Sequence, residues 1–405
     1  MKSISFFLLF VMSLAAHAQT KNQIIVGNAD SVYSKILNEN RKIWIHIPED
    51  NSPDGVFAKQ HYPVIYVLDG WEPTFSSVVN IVELLSGGSG NLAFPQMIVV
   101  GIPNTDRTRD LTPTHIVSAP VMDSMSARFS GGGEKFISFI EKELMPHIDS
   151  VYPTAPYRVF IGHSLGGLMS IYTMMHHPKL FNSYIAIDPS MFWDNRKILM
   201  QAKEALEKNG FDGTSLFLAM ANSMNSGMDT SIIGPIMRAT FQLDDYLHSN
   251  KTNGLLSASK YYPEYDHQSV PLPAQYDGLR FIFGFYNYNF PFAEFFNSSY
   301  KSDSLLSNHY KMISRRMGYT VSPPEQFVNG IAYQLMSMNQ LDRARYFFEM
   351  NVNNYPTSFN AHDSMGDLFV KTGDKEKAIL SYSKSLSLRE TAETRQKLEK
   401  LKASR

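Results

Sequence analysis

Ser164 is the residue whose surroundings most clearly specify chemistry. It lies in Tyr157-Arg158-Val159-Phe160-Ile161-Gly162-His163-Ser164-Leu165-Gly166-Gly167, where a β-type run enters Gly-x-Ser-x-Gly and a helical pattern follows. That context predicts a sharp strand-to-helix turn that lifts the hydroxyl clear of a sheet edge, with glycines two residues to either side letting the backbones pass closely. A serine hydroxyl is a weak nucleophile until a neighbouring base takes its proton. The pattern therefore calls for an acid and then a histidine further along the chain.

Six histidines follow Ser164: His176, His177, His248, His267, His309 and His362. Only His267 comes directly after a late strand-like run, in Tyr261-Tyr262-Pro263-Glu264-Tyr265-Asp266-His267, so it is the expected base. The acid is expected after the run Leu216–Met220. Asp229 is the sole carboxylate of the stretch Ala221–Asp229, and it could instead cap a helix beginning at Thr230. A Ser–His pair oriented by Asn222 or by a backbone carbonyl stays open, and Asp266 is expected to point away from its neighbour. Two backbone N–H groups are needed for a developing oxyanion. Leu165 supplies one by position, and Trp71, in the turn Asp69-Gly70-Trp71 after a strand, is the expected second.

These residues need a scaffold. Strand-like runs at Lys42–Ile47, Pro63–Leu68, Met97–Ile102, Arg158–Ile161, Tyr184–Ile187, Leu216–Met220 and Ser259–Tyr262 alternate with amphipathic stretches at Glu134–Ile148, Leu165–His177 and Arg196–Lys208. Several runs, such as Met97-Ile98-Val99-Val100, are continuously apolar, as strands buried on both faces are. The expected class is α/β, an α/β-hydrolase-type doubly wound and mostly parallel sheet spanning residues 19–290.

The pattern changes beyond Phe290. Residues 291–324 read as a linker ending in Val321-Ser322-Pro323-Pro324, and 325–405 read as helical. Ala332, Ala344 and Phe348 correspond to Gly366, Ala378 and Tyr382, and Asn339 to Gly373, each 34 residues apart. A small all-α, tetratricopeptide-like segment is expected. Two repeats cannot close a solenoid, so the segment is expected to pack on the catalytic domain or to contact a protein partner or a second copy.

Of the 405 residues, 43% are hydrophobic and 19% charged, which supports a sizeable core and excludes wholesale disorder. The net charge of −1, from 37 basic and 38 acidic residues, leaves no footprint for nucleic acid. Lys2, the short apolar run Ile4 to Leu14 and Ala16-His17-Ala18 read as a signal peptide over 1–18, and hence as a periplasmic or secreted protein. That run is short of the roughly 20 residues a membrane span needs, so no membrane insertion is expected. With no cysteine, thiol chemistry and disulfides are excluded. No His-x-x-x-His or calcium-type loop occurs, so no metal or cofactor is expected.

The region from about Lys42 to Phe285 resembles the esterase family that contains enterobactin-type siderophore esterases, esterase D-like enzymes and feruloyl esterases. The resemblance is carried by Tyr66-Val67-Leu68-Asp69-Gly70, Val100-Gly101-Ile102-Pro103-Asn104, Arg109-Asp110-Leu111-Thr112-Pro113, the serine turn, Asp188-Pro189-Ser190-Met191-Phe192-Trp193-Asp194 and Asp266-His267-Gln268-Ser269-Val270-Pro271. It implies hydrolysis of a small-molecule or saccharide carboxylic ester through an acyl-enzyme. Family members commonly carry a Glu where this chain has Asn222 and Asn225. Arg109, Phe192 and Trp193 would flank the pocket, Arg109 binding an anionic group or pairing with a neighbouring carboxylate. Acyl transfer and a non-enzymatic binding or scaffolding role for the repeats are the competing expectations.

Overall fold

A computed structural model describes residues 25–48, 55–86, 93–117, 127–226, 229–300 and 303–403. The expected signal segment lies outside the described residues. Among the described residues, eight strands form one sheet: β1 (Asn28–Ser34), β2 (Glu39–His46), β3 (Tyr62–Leu68), β4 (Ile98–Ile102), β5 (Thr154–His163), β6 (Ser183–Ile187), β7 (Ser215–Ala221) and β8 (Leu256–Tyr262). Their spatial order is β1-β2-β4-β3-β5-β6-β7-β8. β1 and β2 pair antiparallel, as do β2 and β4, and every later pairing is parallel.

All seven residues of β3 are buried, which explains its unbroken apolar run. Val64, Tyr66 and Leu68 belong to one core, with helices Leu165–His176 (α2), Trp193–Lys208 (α3) and Thr230–Ser249 (α4). Ile65 and Val67 belong to a second core on the opposite face, with helices Glu72–Ser86 (α1) and Pro271–Phe283 (α5). A period of two thus feeds two hydrophobic layers from one strand.

The run at residues 28–34 has no apolar pattern and gave no strand signal. Its partner imposes the structure: the turn after Ser34 contains Asn38 in the left-handed region (φ 55°), and Asn28 to Ser34 then pair with Ile45 to Glu39. The expected helix over Glu134–Ile148 forms as Gly133–Phe139, a π-helical turn at Ile140–Leu144, and Met145–Val151. Three left-handed residues, Asp194, Asn195 and Arg196, kink the start of α3. The regular helix therefore resumes where the hydrophobic spacing placed it.

The C-terminal region is all-α. After Ser304–Met317 (α6) come two antiparallel hairpins, Glu325–Ser337 (α7) with Leu341–Asn354 (α8) and Phe359–Thr372 (α9) with Lys375–Leu388 (α10), then Ala392–Ala403 (α11). Ala332, Ala344, Phe348, Ala378 and Tyr382 are buried where these helices meet. A Cβ on Gly366 would lie 2.4 Å from the Tyr382 ring, so only glycine admits that approach. Asn339 (φ 58°) and Gly373 (φ 77°) occupy equivalent left-handed turns. Apolar residues of these helices join the sheet's second core, so the region packs on the sheet domain.

Glu325 pins the junction. It is 1% exposed and accepts from the Ala58 N–H (2.8 Å), the Ser358 hydroxyl (2.6 Å) and the Asn360 amide (3.2 Å). Glu325→Ala strands these donors, of which Ser358 is buried, and should cost about 2 kcal/mol in urea denaturation, with lost exchange protection around Ala58 and Ser358. Wild-type stability in that variant would show that the carboxylate is not what holds the junction.

Candidate active site

Parallel register puts the carboxyl ends of β3, β5, β6 and β7 along one edge, where ligands of open α/β sheets bind. Ser164 follows β5 directly, with φ 60° and ψ −117°, a conformation strained for any non-glycine residue. Its N–H donates to the Ile187 carbonyl (2.9 Å), and its own carbonyl accepts from Leu168 and Ser190 N–H. A Cβ on Gly162 would lie 2.1 Å from the Gly166 carbonyl oxygen, so the turn requires glycine there. The Ser164 and Ser190 hydroxyl oxygens are 3.3 Å apart.

His267 occupies the loop after β8, as its position after a late strand suggested. Asp266 does point away: its carboxylate accepts from the N–H groups of Gln268 and Ser269 and so shapes the turn. The Asn222 N–H donates to the Tyr265 carbonyl and its side-chain amide to the Pro263 carbonyl (2.8 and 2.9 Å), tying this loop to the end of β7. Asn222 therefore holds the histidine loop and not the imidazole.

The carboxylate facing His267 is Asp188. Nδ1–H of His267 donates to Asp188 Oδ2 at 2.6 Å, and the Asp188 side chain is 10% exposed. The same carboxylate accepts from the Ala221 N–H (3.1 Å) and the Ser223 hydroxyl (3.4 Å). Asp188 adopts φ 39° one residue past β6. Asp229, the sequence candidate, is elsewhere: it is the N-cap of α4, accepting from Ser231 N–H at 2.8 Å. That backbone hydrogen bond holds its carboxyl below the usual range. Asp188-Pro189 follows a strand directly, and the carboxylate that meets His267 lies one strand earlier than the position expected after Leu216–Met220.

Leu165 opens α2 and lines the cleft, and a residue at the first position of a helix has no intrahelical acceptor for its N–H. The Trp71 N–H, by contrast, donates to the Asp69 carbonyl at 2.8 Å, and its side chain is 53% exposed. Gly70 N–H donates to Ile102 O, and a Cβ on Gly70 would lie 2.3 Å from Ile102 N. The Asp69 carboxylate takes both Arg107 Nε–H (2.7 Å) and Nη2–H (2.8 Å), and also Asn104 Nδ2–H.

The cleft measures about 500 Å³. Ser164, Leu165, Asp188 and His267 line it together with Phe192 and Trp193, Ile233, Ile236 and Met237 from α4, and Arg107. Trp193 is 1% exposed and donates its indole N–H to Thr114, so it supports the wall from within. Arg109 is not a lining residue. It pairs with Glu39 and Asp110 (2.7 Å each), which push its guanidinium pKa up. Two residues apart on a short helix, Arg107 and Arg109 point to different partners, and Arg107 is the cation at the cleft.

Asp110 also bonds Arg41 at 2.6 Å, with both side chains fully buried. Asp110→Ala leaves that buried guanidinium with Glu39 (2.9 Å) as its remaining carboxylate partner and should cost about 3 kcal/mol by chemical denaturation. A loss under about 1 kcal/mol would mean that Glu39 alone satisfies Arg41. A second group reports through pH. The His163 imidazole is pushed down to about 4, first by burial and then by the His267 charge, against the opposing pull of Asp188 and Asp69. Its contribution to stability is complete above about 6.5 and is lost as the pH falls toward 4, a span worth about 3 kcal/mol. His163→Phe should flatten that part of the acid slope in denaturation curves.

Comparison with known proteins agrees with this geometry. The family model described as "Putative esterase" matches residues 34–227. The ferri-bacillibactin esterase BesA of Bacillus subtilis is 31% identical over 190 residues, which is 44% of this chain and 64% of BesA, so the chain spans less than two thirds of that relative. An IroE-like serine hydrolase from Shewanella oneidensis is 30% identical with a TM-score of 0.69, covering 81% of this chain and 99% of that one. An uncharacterised protein from Capnocytophaga ochracea, 20% identical, shares the fold over 93% of this chain and 99% of its own, with a TM-score of 0.59. With the sheet order, the serine turn and these likenesses together, the chain belongs to the esterase family of α/β-hydrolase-fold proteins.

Proposed function

We propose that the protein is a serine carboxylic ester hydrolase that works through an acyl-enzyme. The observation that carries this reading is the 2.6 Å His267–Asp188 pair beside a serine held in a strained strand-to-helix turn. Ser164 Oγ attacks the ester carbonyl carbon, and its proton passes to His267 Nε2. Asp188 keeps the Nδ1–H tautomer and stabilises the imidazolium. The Leu165 N–H meets the oxyanion, and the Trp71 N–H joins it once released from the Asp69 carbonyl. The carbon–oxygen bond to the alcohol then breaks as His267 returns the proton, and water cleaves the acyl-enzyme by the same relay.

For substrate we propose a siderophore-type ester. The support is the name of the Bacillus relative, a ferri-bacillibactin esterase, together with a cleft lined by Phe192, the apolar α4 residues and Arg107. Such a lining suits an aromatic, anionic ester. Export through residues 1–18 and a tetratricopeptide-like character for α7–α10 belong to the same proposal.

Hydrolysis of p-nitrophenyl acetate and of a ferric tris-catecholate trilactone by purified protein tests it. Ser164→Ala should abolish both activities. Asp188→Asn should lower kcat by about 100- to 10,000-fold, while Asp229→Asn should stay within about twofold of wild type. Loss of activity on changing Asp229 but not Asp188 would reassign the acid. Activity retained in Ser164→Ala would remove the mechanism altogether.

A further inference from the structure

His163 ends β5, one residue before Ser164, and its imidazole lies against that of His267. The ring centroids are 4.4 Å apart and the planes are tilted by 41°. Nε2 of His163 is buried and has no hydrogen-bond partner among the described residues. A buried, unpartnered ring nitrogen is unfavourable, and an apolar side chain of similar size would avoid it. The groups that face this ring are His267, the carboxylates Asp188 and Asp69, and the Arg107 guanidinium. Both carboxylates are committed elsewhere, Asp188 to His267 and Asp69 to Arg107 and Asn104. Burial is then the dominant influence on His163 and favours its neutral form.

A neutral ring in this place matters when His267 takes up a proton. Set against a second cation, the imidazolium would be opposed by like-charge repulsion across less than 5 Å. Set against a neutral ring, it meets no such repulsion. The Asp188 hydrogen bond fixes one edge of the His267 ring but leaves it free to swing about that bond. The contact with His163 removes this freedom.

We propose that His163 is a positioning residue for His267, a neutral ring that fixes one face of the catalytic imidazole while Asp188 fixes its edge, and that keeps water and charge from that face. The role presupposes the ester-hydrolase reading above.

The test compares full-length wild type, His163→Ala and His163→Phe for p-nitrophenyl acetate turnover across pH, with labelling of Ser164 by a fluorophosphonate and thermal denaturation alongside. His163→Ala should lower kcat roughly tenfold or more, with KM within about twofold. It should also move the acid limb of kcat/KM to higher pH, because water reaching His267 favours its charged form. His163→Phe, which restores a flat uncharged ring, should recover most of kcat and return the limb toward wild type. A folded Ala variant with wild-type kcat and limb overturns the role. If Ala does not fold, a folded Phe variant as inactive as Ser164→Ala overturns it, and recovery in Phe supports it. A wild type that neither hydrolyses the ester nor labels at Ser164 fails the hydrolase reading itself, and this role with it.

Discussion

Asp69, Ser164 and Asp188 each stand one residue past a strand, after β3, β5 and β6, and each bends the chain through positive φ (51°, 60° and 39°). None is glycine, and such turns cost on the order of 1–3 kcal/mol each. They persist because the sheet extends its ladder one step beyond the strands. The Gly70 N–H donates to Ile102 O, the Ser164 N–H to Ile187 O and the Asp188 N–H to Ala219 O. Each of these three strand ends is thus tied to the neighbouring strand, and the turns after β5 and β6 bring Ser164 and Asp188 to one cleft. The buried parallel sheet supplies the stability that offsets this local strain.

The same edge carries two carboxylates with opposite assignments. Asp69 is taken up by Arg107 and Asn104 and holds the rim of the cleft, whereas Asp188 is left for His267. Behind the rim, the fully buried Arg41–Asp110 pair anchors the segment that carries Arg107. Arg41 also pairs with Glu39, and Asp110 with Arg109, so a network of charges that does not line the cleft holds the segment that carries Arg107. The helical region acts from further away, sharing a hydrophobic core with the sheet face opposite α2–α4.

Much of this was legible along the chain because the signals are local. Continuous apolar runs marked strands buried on both faces, and Gly162-His163-Ser164-Leu165-Gly166 marked the strained turn, since both depend on residues within a few positions of one another. The equivalent turns at Asn339 and Gly373, 34 residues apart, are local in the same way. β1 was missed because its pairing with β2, not its own pattern, makes it a strand.

The sequence by itself determined the turn that displays Ser164, the strand that delivers His267 and the alternation that builds the sheet. Which carboxylate meets His267 was decided only by tertiary structure. Asp188 and His267 are 79 positions apart and meet because β6 and β8 end on the same sheet edge. Asp229 suits a helix cap as well as a catalytic acid, and residue type alone does not separate the two roles. Arg107 and Arg109 are likewise alike in sequence, and only the packing of Asp69 and Glu39 around them shows which faces the cleft. Hydrogen bonds between distant segments are set by strand order and register, and a single chain read end to end carries no direct signal of either.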